Sequence, residues 1–180
     1  MNTATSHYPA APTVQGVETR TLCVLVDNEP GVLARVIGLF SGRGYNIDSL
    51  TVSETEHEKH LSRITIVTRG TPMVLEQIKN QLERLVPVHR VVDLTTDSPA
   101  IQRELAMVKV SGSGEQRAQA RRLAETLHAR IVDDSAECCV FEITGETDKI
   151  ENFISQMLPL GLVEVSRTGV VAIARGPEGM

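Results

Sequence analysis

The sequence predicts an α+β protein made of two successive β-α-β-β-α-β units. Three observations carry this prediction. Short β-branched segments alternate with longer stretches whose apolar residues recur at helical spacing. The order of these elements repeats after a polar stretch at Thr95 to Ala100. The 180 residues are 41% hydrophobic, enough to fill the core of either one large or two small domains.

Residues 19–26 alternate, with Leu22, Val24 and Val26 on one face, and read as a strand. Val32, Leu33, Val36, Ile37 and Phe40 then recur at helical spacing until Gly42 and Gly44 stop the run. Segments 46–54 and 61–69 place Leu50, Val52, Ile64 and Ile66 on one face and Thr51, Ser53, Arg63 and Thr65 on the other, which predicts a hairpin with one dry side. Thr71-Pro72 opens a second helix, because a capping hydroxyl precedes proline at the first helical position, and Leu75, Ile78, Leu82 and Leu85 form its stripe. Residues 88–94 close the unit as a fourth strand. This is the ferredoxin-like order, in which two helices cover one face of a four-stranded antiparallel sheet.

The second unit repeats that order. A strand at 104–111 leads through Ser-Gly-Ser-Gly to a helix over 115–127, followed by strands at 129–134 and 137–144. Ile150, Phe153, Ile154, Met157 and Leu158 mark a helix over 148–158, and a final β stretch runs over 162–174. The predicted organisation is a disordered tail at 1–17, a first domain at 18–95, a linker at 96–102, a second domain at 103–176 and a short tail at 177–180.

Composition excludes several classes of function. The net charge of −5 and the lack of a Lys/Arg stripe argue against nucleic acid, whose binding depends on a basic surface releasing counterions. Met1 to Gly16 carries no Lys or Arg and lacks the apolar run of a signal peptide. Apolar stretches elsewhere are strand-sized or interrupted by charges, so no membrane span is expected. Cys23, Cys138 and Cys139 are odd in number and have neither zinc nor Cys-x-x-Cys spacing, which fits a reducing cytoplasm.

The most informative local feature is Asp27-Asn-Glu-Pro-Gly-Val-Leu33 with Gly44-Tyr-Asn-Ile47 downstream. Asn28 can cap the helix, Pro30 suits its first turn, and Gly31 lets backbone N–H groups approach a ligand. Such a helix start favours a carboxylate, while Asn46 offers an amide donor and a carbonyl acceptor for an ammonium group. Leu33 and Ile47 would form an apolar wall. The same residues also read as a capped strand-to-helix connection and a turn asparagine.

Other motifs read as structure. Gly42-Arg-Gly44 follows a helix instead of opening one, and Ser111-Gly-Ser-Gly114 has no Gly-Lys-Ser/Thr, so neither is a phosphate loop. His57-Glu-Lys-His60 lies in a predicted hairpin connection and lacks the spacing of a zinc protease. By strand alternation Cys138 and Cys139 face opposite sides, one into the core. No catalytic constellation is recognisable, which reads as a non-catalytic chain. An RNA-recognition domain shares the topology but needs aromatic residues on its central strands, and these have none.

The stretch from Leu25 to Val52 closely resembles the small, regulatory subunit of acetolactate (acetohydroxyacid) synthase. Leu61-Ser-Arg-Ile-Thr-Ile66, the Leu75-Glu-Gln-Ile run, Arg103-Glu-Leu-Ala-Met-Val-Lys-Val110 and Ser166-Arg-Thr-Gly-Val-Val-Ala resemble the same family in order and spacing. The resemblance implies an N-terminal ACT domain, a C-terminal ferredoxin-like domain and a homodimer. It implies valine bound between two ACT domains, with Asn28, Gly31, Val32 and Leu33 from one protomer and Asn46, Ile47 and nearby Thr51 from the other. The implied partner is the large catalytic subunit, which uses thiamine diphosphate, magnesium and FAD; no cofactor is expected on this chain. The implied function is activation of that partner and feedback inhibition by valine in branched-chain amino acid biosynthesis. The alternatives are a free-standing amino-acid sensor acting on another enzyme and a purely structural assembly subunit.

Overall fold

A computed structural model of the chain describes residues 16–56, 60–97 and 99–180. Most of the predicted N-terminal tail, and His57 with the two residues after it, lie outside the described residues. The first sheet has strands β1 (Glu18–Asp27), β2 (Ser49–Glu56), β3 (Leu61–Gly70) and β4 (Val88–Asp93) in the order β2-β3-β1-β4. Helices α1 (Val32–Ser41) and α2 (Pro72–Leu82) cover one of its faces. Leu22, Val24, Ile64 and Ile66 meet Val36, Phe40, Leu75, Ile78 and Leu82 there, all virtually inaccessible, and these are the apolar stripes expected from the periodicity. Thr71 caps α2 through its side chain with Pro72 in the first turn, as the residue types require.

The second sheet is built from β5 (Ala100–Val110), β6 (Arg130–Asp134), β7 (Cys139–Gly145), β8 (Leu162–Arg167) and β9 (Val171–Ala174). Its path is β6-β7-β5-β8, with β9 paired to the first residues of β5. Helices α3 (Glu115–Thr126) and α4 (Thr147–Met157) pack on it around Val108, Phe141, Ile143, Ile150, Phe153 and Met157. Phe141 and Phe153 meet edge to face at 6.2 Å, a favourable aromatic geometry. The fold is thus α+β with two βαββαβ patterns, as predicted.

Three boundaries differ from the sequence prediction. The second strand starts at Ser49, not at residue 46, because the Asn46 amide turns back onto Asp48 instead of extending. The last β stretch breaks at Gly169, whose φ of +81° belongs to the left-handed region, so β8 and β9 are separate strands. Residues 100–102, assigned above to the linker, already belong to β5, where Ala100 to Arg103 pair with Val171 to Ala174.

The polar stretch after β4 is tightly held. The Asp93 carboxylate is fully buried and accepts from Arg20 Nη1 at 3.1 Å and from the N–H groups of Thr95 at 2.9 Å and Thr96 at 3.3 Å. Thr95 Oγ1 in turn accepts from Thr21 N, and Asp97 pairs with Lys79. The Lys79 ammonium holds the Asp97 carboxyl below the usual carboxylate range. Cys23 and Cys139 are buried, while Cys138 is partly exposed. Burial pushes the Cys23 thiol up even though Arg63 Nε lies 2.8 Å from its sulfur.

Two expected outcomes follow from this packing. Asp93→Ala leaves Arg20, whose side chain is 11% exposed, with only its two longer ion pairs to Glu18 and Glu76 and strands two turn N–H groups, so urea unfolding should show a loss of about 2 kcal/mol. Iodoacetamide at pH 8 should leave Cys23 unmodified in the folded chain and modify it in urea, read by peptide mass spectrometry.

Candidate ligand-binding site

The turn between β1 and α1 is anchored at its start. Asp27 N donates to Pro87 O at 2.9 Å and Asn28 N to His60 O at 2.7 Å. The helix then begins at Gly31, not at Asn28: Gly31 is the N-cap, with φ +87°, and no side chain caps the helix. Asn28 is exposed and sits three residues too early to cap, and Pro30 lies before the first turn instead of within it. The left-handed glycine makes the bend that a capping side chain would otherwise stabilise.

This arrangement suits an anion. The first N–H groups of a helix have no intrahelical acceptor; here Val32 N reaches Glu29 O at 3.3 Å, and the first bond back to the cap is from Arg35 N to Gly31 O at 3.1 Å, which leaves the N–H groups of Leu33 and Ala34 between them. No acidic residue lies in the first turn to neutralise the positive end of the helix. A Cβ built on Gly31 meets nothing within 4 Å, so the space over the turn is open. Val32 anchors the turn in the core, and Leu33, 37% exposed, stands at its rim.

Asn46 belongs to a different place. Its Nδ2 donates to Asp48 Oδ1 at 2.6 Å, and Asp48 Oδ2 accepts from Arg69 Nε at 2.5 Å. Its backbone carbonyl accepts from the buried Thr68 hydroxyl at 2.6 Å, and Asp48 N donates to Val67 O at 2.8 Å. With the amide nitrogen committed to Asp48, the Asn46 side-chain carbonyl is the group left to accept from a ligand. Ile47 packs partly buried against the first core beside this exposed side chain. Thr68 and Arg69 escaped the sequence reading because they lie about twenty residues away and only folding brings them to the Asn46–Asp48 segment.

The two segments do not meet within one chain. Asn28 sits at the Leu61 end of β3 and Asn46 at the Thr68 end, seven residues or about 23 Å apart at about 3.3 Å per residue. Thr51 is apart from both: it lies on the sheet face opposite the helices, and its Oγ1 donates to Val170 O at 3.0 Å. A polar cavity of about 810 Å³ between the two sheets is lined by Asp48, Arg69, Glu104, Glu151 and Arg167. It does not include the Asn28 to Leu33 turn, and its two arginines are already paired with carboxylates. Among the described residues no group of three or more His, Cys, Asp or Glu side chains could hold a metal ion, and no helix is long and apolar enough to cross a membrane.

Comparison with known proteins matches this geometry to a family. Residues 22–90 match the ACT domain of the AHAS small subunit-like type, and residues 103–176 match the small subunit of acetolactate synthase. A probable acetolactate synthase small subunit of Archaeoglobus fulgidus is 46% identical over 156 residues, covering 87% of this chain and 96% of that protein. The acetolactate synthase small subunit of Mycolicibacterium smegmatis is 42% identical over 165 residues, 92% of this chain and 96% of the relative. The crystal structure of the acetolactate synthase small subunit from Thermotoga maritima superposes with a TM-score of 0.79 at 36% identity, covering 89% of this chain and 99% of that one. With both halves matched in order and relatives aligned along nearly their full length, the chain belongs to the acetolactate synthase small-subunit family.

Proposed function

We propose that this chain is a non-catalytic, cytoplasmic regulatory subunit that activates a thiamine-diphosphate-dependent acetolactate synthase catalytic subunit and makes it sensitive to valine. The observation that supports the reading most directly is the placement of the two ligand-suited segments at opposite ends of one sheet. β1 and β2 both run antiparallel to β3 and therefore parallel to each other, so the α1 start lies at the end where β2 finishes. Among the described residues β2 is an edge strand with β3 as its one strand neighbour.

A second copy pairing antiparallel along β2 about a two-fold axis brings its own β2 start, preceded by Asn46 and Ile47, to the first copy's Gly31. The dimer then carries two equivalent composite sites. In each, the Leu33 and Ala34 N–H groups receive the ligand carboxylate above Gly31, the partner's Asn46 carbonyl receives the ammonium, and Val32, Leu33 and the partner's Ile47 enclose a short aliphatic side chain. The Asn28 side chain borders the site at the turn, and Thr51, engaged with Val170, supports the same edge from the opposite face.

Inhibition is a linkage. Valine that binds one arrangement of the dimer more tightly shifts the holoenzyme by that difference, commonly about 1–3 kcal/mol, and the catalytic subunit changes valine affinity by the same factor. The deciding experiment measures acetolactate formation by the cognate large subunit with and without this chain across a valine titration. Activation together with valine-dependent inhibition supports the reading; activation without a valine response reduces the chain to an assembly subunit, and no activation overturns the role.

Two variants test the composite site. Gly31→Asp has open space for its side chain and sets a carboxylate against that of the ligand; its φ of +87° strains any side chain, so activation of the large subunit serves as the control for folding. Activation should survive while half-inhibition moves to at least about tenfold more valine, about 1.4 kcal/mol. Asn46→Ala removes the acceptor for the ammonium, a charged hydrogen bond of about 1.5–3 kcal/mol, and calorimetry on the small subunit should show valine binding weakened by about tenfold or more.

A further inference from the structure

The residues that follow Asn46 are held directly by the second half of the chain. Ser49, the first residue of β2, accepts through Oγ from Val170 N at 2.8 Å, and Thr51 returns a bond to Val170 O at 3.0 Å. Arg63 on the neighbouring strand donates to Ala172 O at 2.8 Å. Gly169 fills the contact without slack: a Cβ on it would lie 2.7 Å from Ser49 Oγ and 3.2 Å from Thr51 Cγ2, and its φ of +81° already disfavours a side chain.

The other side of this segment is equally fixed. Thr168 N donates to Leu105 O at 3.0 Å, and Thr168 Oγ1 accepts from Leu105 N at 3.1 Å, which locks it onto β5. Arg167 forks onto the buried Glu104 at 2.6 and 2.7 Å and also reaches Glu151 on α4. Residues 167–170 therefore bridge α4 and β5 on one side and β2 on the other. Asn46 bonds Asp48, Asp48 bonds Arg69, and the next residue, Ser49, bonds Val170.

We propose that residues 167–170 are the joint through which ligand occupancy at Asn46 is passed to the second half of the chain, with Ser49 and Gly169 as its positioning residues. The proposal rests on the valine reading above and adds the route of its regulation. A ligand that draws Asn46 toward a neighbouring protomer pulls on Asp48 and Ser49. Because the Gly169 contact is closed and Arg167 is anchored on both sides, the displacement passes to β5 and α4 instead of being absorbed locally. Packed contacts of this kind have discrete arrangements and do not deform continuously.

The test uses the full chain with its cognate large subunit. Ser49→Ala removes the Val170 bond without touching the groups that face the ligand. It should bind valine in calorimetry within about threefold of the unmodified chain and activate the large subunit fully, yet show less than about half the depth of inhibition at saturating valine. The change in valine affinity caused by the large subunit should shrink as well. Gly169→Ala should uncouple in the same direction, and Ser49→Ala combined with it should be no worse than Gly169→Ala alone, since both act on one contact. Undiminished inhibition in Ser49→Ala overturns the joint, as does a loss of valine affinity beyond about tenfold, which would make Ser49 a support of the binding site only. Absence of any valine response in the unmodified holoenzyme overturns the functional reading itself and is distinguished before any variant is made.

Discussion

The antiparallel pairing of β1 with β3 sets the position of every other feature. Ten residue pairs, from Glu18 with Gly70 to Asp27 with Leu61, lock the two central strands in one register. A slip of one residue would turn Leu22, Val24, Ile64 and Ile66 away from the helices, so the apolar face specifies the register strongly. Once it is set, the α1 turn must emerge at one end of the sheet and Asn46 must lie at the other, against Thr68. A ligand needing both groups then needs two protomers, which makes dimerisation a requirement of the proposed site.

The two faces of this sheet serve different purposes. The helix face is a dry core, whereas the opposite face carries Thr21, Cys23, Thr51, Arg63 and Thr65 and is met by Val170, Ala172 and neighbouring residues from the far end of the chain. Polar residues on that face are therefore not solvent-facing decoration. Arg63 bonds Cys23 and Ala172, and Ser49 and Thr51 bond the two ends of the Val170 peptide. The cost of ordering these side chains is offset because each satisfies a backbone group that the junction would otherwise bury unpaired. The strand that follows Asn46 is thus hydrogen-bonded directly to the second half of the chain.

Much of this was legible in the sequence because local physics and global fold agree. The stripe Val32, Val36, Phe40 became the buried face of α1, and Thr71-Pro72 opened α2 as capping chemistry requires. The turn between β1 and α1 was legible for a reason that differs in part from its actual geometry. Gly31 matters as the left-handed N-cap, and Asn28 does not cap at all. Residue type at a turn cannot say which of two neighbours takes the cap, because that choice depends on where Val32 must enter the core. The family resemblance places Thr51 near Asn46; strand alternation puts it on the sheet face opposite the helices, where its hydroxyl bonds Val170 O.

By itself the sequence determined the element order, the apolar faces, the second βαββαβ pattern and, through several separated motifs, the family, since each depends on residue type and spacing along the chain. Tertiary structure alone decided which ends of the sheet the two candidate ligand segments occupy, that Arg69 pairs with the Asp48 that holds Asn46, and that Gly169 closes against Ser49. These are contacts between residues up to 121 positions apart, and their geometry arises only when strand register and sheet packing bring the segments together.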